Sequence, residues 1–291
     1  MQERIVFPSE GLALVGILHI PEGLEEGRKA PAFLALHGFG SNKDNGACVW
    51  AAEALAKLGY LVLRFDMRGC GESEGERGRV ICMDQVADTR SAVEALLRRP
   101  DVDPARIGVL GHSFGAAVAV YAGAVDERIA AVISSGGWGH GERKFRGQHA
   151  TPEAWARFTG LIEEGKAYRA RTGQSFMMNR YDIVPIPEHM RGSLAPGSHL
   201  SFPSETAESM MAFNAEDVVH QIAPRPLLLL HSSKDAVTPT EQSIGMFRKA
   251  GQPTDLHLIA DTNHFMFAER NPRVIGIVED WLNTYMPPGF A

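Results

Sequence analysis

Ser113 lies at the centre of Gly111-His112-Ser113-Phe114-Gly115, a G-x-S-x-G pattern that suits a nucleophilic serine. Arg106 to Leu110 before it reads as a short buried strand, and Ala116 to Tyr121 after it as a packed helix. A serine on a sharp turn between strand and helix has its hydroxyl pushed clear of the backbone, and the flanking glycines leave room for that turn. A serine hydroxyl is a weak nucleophile at neutral pH and needs a base. Imidazole suits that task, because its ordinary pKa lies near working pH. A buried carboxylate then fixes the imidazole tautomer and stabilises the imidazolium that forms.

Both partners follow in the chain. Pro226 to His231 is an apolar run typical of a buried parallel strand, and it empties into Ser232 to Pro239, a polar loop that carries Asp235. Asp255 to Ala260 reads as another strand, followed by Asp261-Thr262-Asn263-His264-Phe265. Ser113, Asp235 and His264 are therefore the candidate catalytic residues, in the order nucleophile, acid, base. Asp66 and Asp261 compete as the acid, but Asp235 stands in the better loop. Pro31 to His37 reads as one more buried strand, with Gly38-Phe39-Gly40-Ser41 after it. A loop there can aim a backbone N–H at a developing oxyanion, and the expected donors are the N–H groups of Phe39 and Phe114.

On these motifs the chain resembles an α/β-hydrolase-fold serine hydrolase of the esterase or lipase kind. The matching residues are His37-Gly38-Phe39-Gly40, Asp66 to Ser73 (D-x-R-G-x-G-x-S, mainly structural in that family), Gly111 to Gly115, Asp235 and His264. The resemblance covers roughly residues 5–136 and 222–286. It implies an acyl-serine mechanism without a cofactor, but that family hosts esterases, thioesterases, acyltransferases, peptidases and C–C bond hydrolases, so the fold does not choose the substrate.

The elements needed to position these groups are legible. Arg4 to Phe7 and Leu12 to Ile20 predict an antiparallel hairpin at a sheet edge. Ala32–His37, Tyr60–Asp66, Arg106–Gly111, Ile129–Ser134, Leu227–His231 and Asp255–Ala260 predict further strands. Helices are expected at 47–57, 84–99, 114–123, 240–249 and 273–285, with Val86, Val93, Leu96 and Leu97 near one face of the second. Such alternation predicts an α/β fold: a mostly parallel eight-stranded sheet, helices on both faces, and an inserted cap. Residues 1–136 and 222–291 form the expected catalytic domain, and 137–221 the cap. Within the cap, Thr151-Pro152-Glu153 is a good helix start. Trp155, Phe158, Met177, Met178 and Tyr181 are its candidate substrate-binding residues, since methionine and aromatic side chains suit an adaptable apolar pocket.

Composition narrows the function classes. With 291 residues, 44% hydrophobic and 22% charged, the chain is globular in character. A net charge of −6 gives no electrostatic case for nucleic acid. No apolar run approaches the roughly 20 residues needed to span a bilayer. Met1 to Ile5 lacks the character of a signal peptide, and three unpaired cysteines suit a reduced, cytoplasmic setting. His189 and His199 lack ligand spacing, so no metal is expected. Gly160 to Ala167 falls short of a phosphate loop. The expected partner is a small molecule with an apolar part, and the oligomeric state stays open, a homodimer included. The leading function is cleavage of a carboxylic ester. C–C bond hydrolysis, acyl transfer or thioester hydrolysis use the same triad. An exopeptidase and a non-catalytic binding protein rank lower.

Overall fold

Alternate residues of the apolar runs point to opposite faces of one sheet, as a period of two requires. The computed structural model describes residues 1–290. The first half of the chain runs β1 (Gln2–Ser9), β2 (Leu12–His19), β3 (Ala30–Leu36), α1 (Gly46–Lys57), β4 (Leu61–Phe65), α2 (Cys82–Leu97), β5 (Val102–His112), α3 (Phe114–Val125) and β6 (Ala131–Ser135). A long insertion carries α4 (Gly141–Gln148), α5 (Pro152–Thr172), β7 (Met177–Asn179), α6 (Arg180–Ile183), β8 (Ser201–Pro203) and α7 (Ser204–Ala212). The chain then closes with β9 (Leu227–Ser232), α8 (Glu241–Lys249), β10 (Thr254–Ile259) and α9 (Pro272–Tyr285).

Eight strands form one sheet in the order β1-β2-β4-β3-β5-β6-β9-β10. The hairpin β1–β2 is antiparallel and joins β4 antiparallel; the remaining pairs are parallel. In β3, Ala32, Leu34 and Leu36 pack on the face that holds α2 and α3, whereas Phe33 and Ala35 pack on the face that holds α1 and α9. Strand β9 does the same, with Leu227 and Leu229 on one side and Leu228 and Leu230 on the other. Strands buried on both faces explain why these stretches read as continuous apolar runs. Strand β5 begins at Val102, earlier than its apolar run, because Val102 pairs with Ala30 across a register shift. Val86, Val93 and Leu96 of α2 are buried, and Leu97 is half-buried at the stripe's edge.

The insertion has its own small core. Helix α5 starts where expected, with Thr151 Oγ1 accepting from the Ala154 N–H at 3.1 Å, and it ends at Gly173 with φ 72°. Phe158 stacks on His149 at 4.3 Å and on Phe145 at 4.8 Å. Strands β7 and β8 form a two-stranded antiparallel ribbon. Among the described residues no helix is long and apolar enough to cross a membrane.

Lys144 of α4 is buried, and its Nζ has no hydrogen-bond partner among the described residues. It lies 3.8 Å from the Phe145 ring centroid and 4.8 Å from that of Trp138. Burial pushes its pKa down to about 7. The neighbouring Cys82 thiol is pushed up to about 12, so it supplies no counter-charge at neutral pH. The unfolded chain therefore binds a proton more tightly than the folded one between about pH 7 and 10.4, and this group's destabilising effect is full below that window and fades across it. Lys144→Met is expected to stabilise the fold by about 2–4 kcal/mol at pH 6 and by distinctly less at pH 9.5. Paired thermal or denaturant unfolding at the two pH values checks this; an equal or larger gain at pH 9.5 overturns it.

Candidate active site

Strand β5 runs straight into α3, and Ser113 is the residue between them. Its backbone sits at φ 56° and ψ −114°, a region that costs a non-glycine residue about 1–3 kcal/mol. Close backbone approach on either side fixes the turn. A Cβ on Gly111 would lie 2.0 Å from the Gly115 carbonyl oxygen, and one on Gly115 would lie 2.6 Å from the carbonyl oxygens of Leu36 and His37. Only glycine fits at either position. The Ser113 N–H donates to Ser135 O at 2.8 Å, which ties the turn to β6.

His264 and Asp235 reach Ser113 from the loops after β10 and β9. His264 Nε2 is 2.8 Å from Ser113 Oγ, and its Nδ1 is 2.8 Å from Asp235 Oδ2. A proton on Nδ1, donated to the carboxylate, leaves Nε2 free to accept from the serine hydroxyl. Ser232 Oγ donates to Thr262 O at 2.7 Å and pins the histidine loop to β9. Asp235 Oδ1 accepts the N–H groups of Val237 and Thr238 at 2.7 and 2.8 Å. Burial opposes ionisation of this carboxyl. The pull of His264 and hydrogen bonds from His231 and His264 outweigh it and hold Asp235 well below the usual carboxylate range.

His231 was not singled out from the sequence. It is fully buried at the end of β9, with Nε2 3.0 Å from Thr238 O and 3.3 Å from Asp235 Oδ2. Its Nδ1 accepts from the Ser243 hydroxyl at 2.6 Å. The one signal available was a histidine ending an otherwise apolar run, four residues before the acid.

The loop after β3 carries one expected oxyanion donor, Phe39, and the start of α3 carries the other, Phe114. The N–H groups of Phe39 and Phe114 meet no acceptor among the described residues. The two rings are 6.0 Å apart, and Phe39 stacks on Phe202 of β8 at 4.2 Å. Asp66 does not approach His264. Instead it accepts from the Lys43 and Glu72 N–H groups and from Lys43 Nζ, which braces this loop from behind. His37 Nδ1 faces its neighbour Gly38 O at 2.9 Å and so donates, leaving Nε2 to accept the Met67 N–H at 3.1 Å. Asp261, the other competing acid, takes φ 57° and turns the histidine loop.

A cavity opens over Ser113. Its wall includes Val184, Ile186 and Leu194 from the insertion, Phe265 and Ala268 beyond the histidine, and Arg180. The five pocket residues expected from the sequence are corrected here: Trp155, Phe158, Met177, Met178 and Tyr181 do not line it. Phe158 and Met178 are buried within the insertion, and Met177 is about half exposed. Trp155 lies under the Arg146 guanidinium and Tyr181 under that of Arg191. Helix α5 spends its aromatic stripe on its own packing, and the irregular stretch after α6 reaches the cavity instead. His112 also borders the cavity; burial and the nearby His264 lower its pKa to about 3, so it is neutral.

A family model described as serine aminopeptidase, S33, matches residues 28–271. The chain is 30% identical over 274 residues to thiohydrolase AneE of Aspergillus aculeatus, covering 88% of this chain and 83% of that one. It is 25% identical over 285 residues to polyketide transferase GrgF of a Penicillium species, covering 94% and 90%. The crystal structure of the α/β-hydrolase GrgF superposes with a TM-score of 0.79 at 22% identity, over 98% of this chain and 99% of the other. Est1E of Butyrivibrio proteoclasticus, solved with ferulic acid bound, gives a TM-score of 0.69 at 20% identity, over 97% and 99%. The two structural likenesses are likenesses of fold.

His231→Phe removes one of four hydrogen bonds to Asp235 and leaves Ser243 Oγ and Thr238 O without their partner. The variant is expected to lose about 1–3 kcal/mol of stability and about tenfold in kcat/KM toward an activated ester. Denaturant unfolding beside steady-state kinetics checks it. Full activity in folded protein would show that His231 does nothing for the carboxylate.

Proposed function

We propose, for a chain that belongs to the serine aminopeptidase S33 family of α/β-hydrolases, that it is a serine hydrolase cleaving a carboxylic ester through an acyl-enzyme. The observation that carries this reading is the unbroken hydrogen-bonded line from Ser113 Oγ through His264 to Asp235, at 2.8 Å in each link. In the proposed mechanism, Ser113 Oγ attacks the ester carbonyl as His264 Nε2 takes its proton. The tetrahedral oxyanion accepts from the N–H groups of Phe39 and Phe114. His264 then passes the proton to the departing alkoxide, leaving acyl-Ser113. Water attacks the acyl group with His264 again as base, and the carboxylic acid and free Ser113 are released. Asp235 stays ionised throughout and stabilises the imidazolium.

Residues 137–221 serve as the cap in this reading, and selectivity resides in its cavity-facing side chains. A second reading is hydrolysis or transfer of a thioester acyl group by the same three residues. It is favoured by the printed activities of two relatives, a thiohydrolase and a polyketide transferase. An aminopeptidase reading fits poorly. No Asp or Glu lines the cavity to hold an α-ammonium group, and the full charge that does line it is the cation Arg180.

Ser113→Ala and His264→Ala are expected to lower kcat on the order of 10⁴–10⁶-fold, and Asp235→Asn by no more than that. Turnover of p-nitrophenyl acetate, with labelling by a fluorophosphonate probe, tests this. Turnover by Ser113→Ala within tenfold of the wild type would sink the assignment. An ester series run beside matching thioesters separates the two readings.

Leu194→Phe and Val184→Phe fill the cavity and are expected to shift preference toward shorter acyl chains, by roughly 10–200-fold in kcat/KM per excluded methylene. Met178→Ala should cost stability and leave the preference profile unchanged. A profile that moves with Met178 and ignores Leu194 and Val184 would place the specificity pocket elsewhere.

A further inference from the structure

Arg180 is a buried cation with no carboxylate partner among the described residues, and it borders the cavity over Ser113. Only 3% of its surface is exposed. Nη1 donates to His199 O at 2.8 Å and Nη2 to Phe39 O at 2.6 Å. Its Nε has no partner among the described residues. A guanidinium carries five N–H donors, and two are used here. The group lies 5.1 Å from the Phe39 ring and 5.9 Å from the Phe202 ring, so its setting is apolar. Burial lowers its pKa only to about 10, so it stays charged at neutral pH.

Such a charge is costly to bury and needs an anion or several good acceptors. Three buried carboxylates obey this rule, whereas the unpartnered Lys144 departs from it at the cost described above. Buried Asp66 meets Lys43, buried Asp88 meets Arg68 and buried Asp126 meets Arg128. None of the residues around the cavity is acidic. Most of the remaining wall is apolar, with Ser41, Asn45 and Ser193 as its hydroxyl and amide groups.

We propose that Arg180 recognises a carboxylate on the substrate, so that the preferred ester has an apolar body ending in an anionic group. This rests on the serine-hydrolase reading above. The scissile carbonyl sits at Ser113, the methylenes lie against Val184, Ile186 and Leu194, and the far carboxylate takes the free guanidinium N–H groups. The bond to Phe39 O holds the guanidinium against the oxyanion loop, so the anion is read from the same side as the reaction centre.

The experiment uses the mono-p-nitrophenyl esters of adipic, pimelic and suberic acids, against the same esters with the far carboxyl methylated. The readout is the ratio of kcat/KM values, carboxylate over methyl ester, at each chain length. The wild type is expected to favour the free carboxylate by about ten- to a hundredfold at one length, the worth of a hydrogen bond to a charged group. Arg180→Gln should bring the ratio near or below one, and Arg180→Lys should keep part of it. Raising the salt concentration should leave most of the preference intact, since the cation is buried. A wild-type ratio at or below one at every length overturns the proposal, even if Arg180→Gln fails to fold. So does Arg180→Gln lowering both esters equally, which would mark a residue that only positions Phe39. Fluorophosphonate labelling of Ser113 in the same samples keeps the two readings apart: no labelling fails the serine hydrolase, and labelling without preference fails this inference alone.

Discussion

The turn at Ser113 is the constraint on which the rest of the site depends. A non-glycine residue at φ 56° is held there by structure on both sides. Strand β5 is locked between β3 and β6, and α3 is buried along most of its length, so neither can move to relax the turn. The two glycines let the strand end and the helix start pass within backbone contact. Local strain of about 1–3 kcal/mol is offset by packing across the sheet. It sets the hydroxyl at the carboxyl edge of the parallel strands, where the loops after β3, β9 and β10 also emerge. Four chain segments far apart in sequence thereby meet at one point.

Those loops are held by different means, and the differences follow from what each must carry. The acid loop is tied by its own N–H groups to Asp235 Oδ1, with His231 beneath. The histidine loop hangs from β9 through Ser232. The loop with Phe39 is braced on one side by Asp66 and Lys43, and on the other by Arg180 and Phe202 of the insertion. The insertion is thus part of what holds the loop beside Ser113, besides forming part of the wall of the cavity. That link explains why Gly40 tolerates no side chain: a Cβ there would lie 2.3 Å from the Phe202 ring.

Much of this was legible in the sequence because it rests on local rules. Strand runs, helix caps and the serine turn each depend on a few neighbouring residues, and they read correctly. The three residues of the hydrogen-bonded line were legible through their order in the chain. What was not legible is which residues of the insertion face the cavity. Trp155 and Phe158 show clean helical spacing, but spacing reports an apolar face and not what covers it; here Phe145 and His149 cover it. The insertion's share of the wall comes from Arg180 and from residues 184–195, a largely irregular stretch without a period to read. Arg180 and His231 were missed for a related reason. Arginine is ordinarily at the surface and a strand-end histidine is ordinarily structural, so burial of either is visible only in three dimensions.

The distribution of charge ties these points together. Proton transfer from Ser113 creates an imidazolium on His264 and an oxyanion on the substrate in the proposed mechanism. The imidazolium then faces a charge already in place, because Asp235 is held ionised beneath the imidazole, while the oxyanion meets backbone N–H groups and Arg180 is held charged behind the Phe39 loop. Both are shielded from solvent, where interactions between charges are stronger than in water. A site built this way reorganises little as charge develops, and that is where electrostatic preorganisation lowers a barrier. The same burial makes either charge costly if its counterpart is absent. Asp235 always has its two histidines and two backbone N–H groups. Arg180 has only two carbonyl oxygens, so its environment is the one that ligand binding can improve.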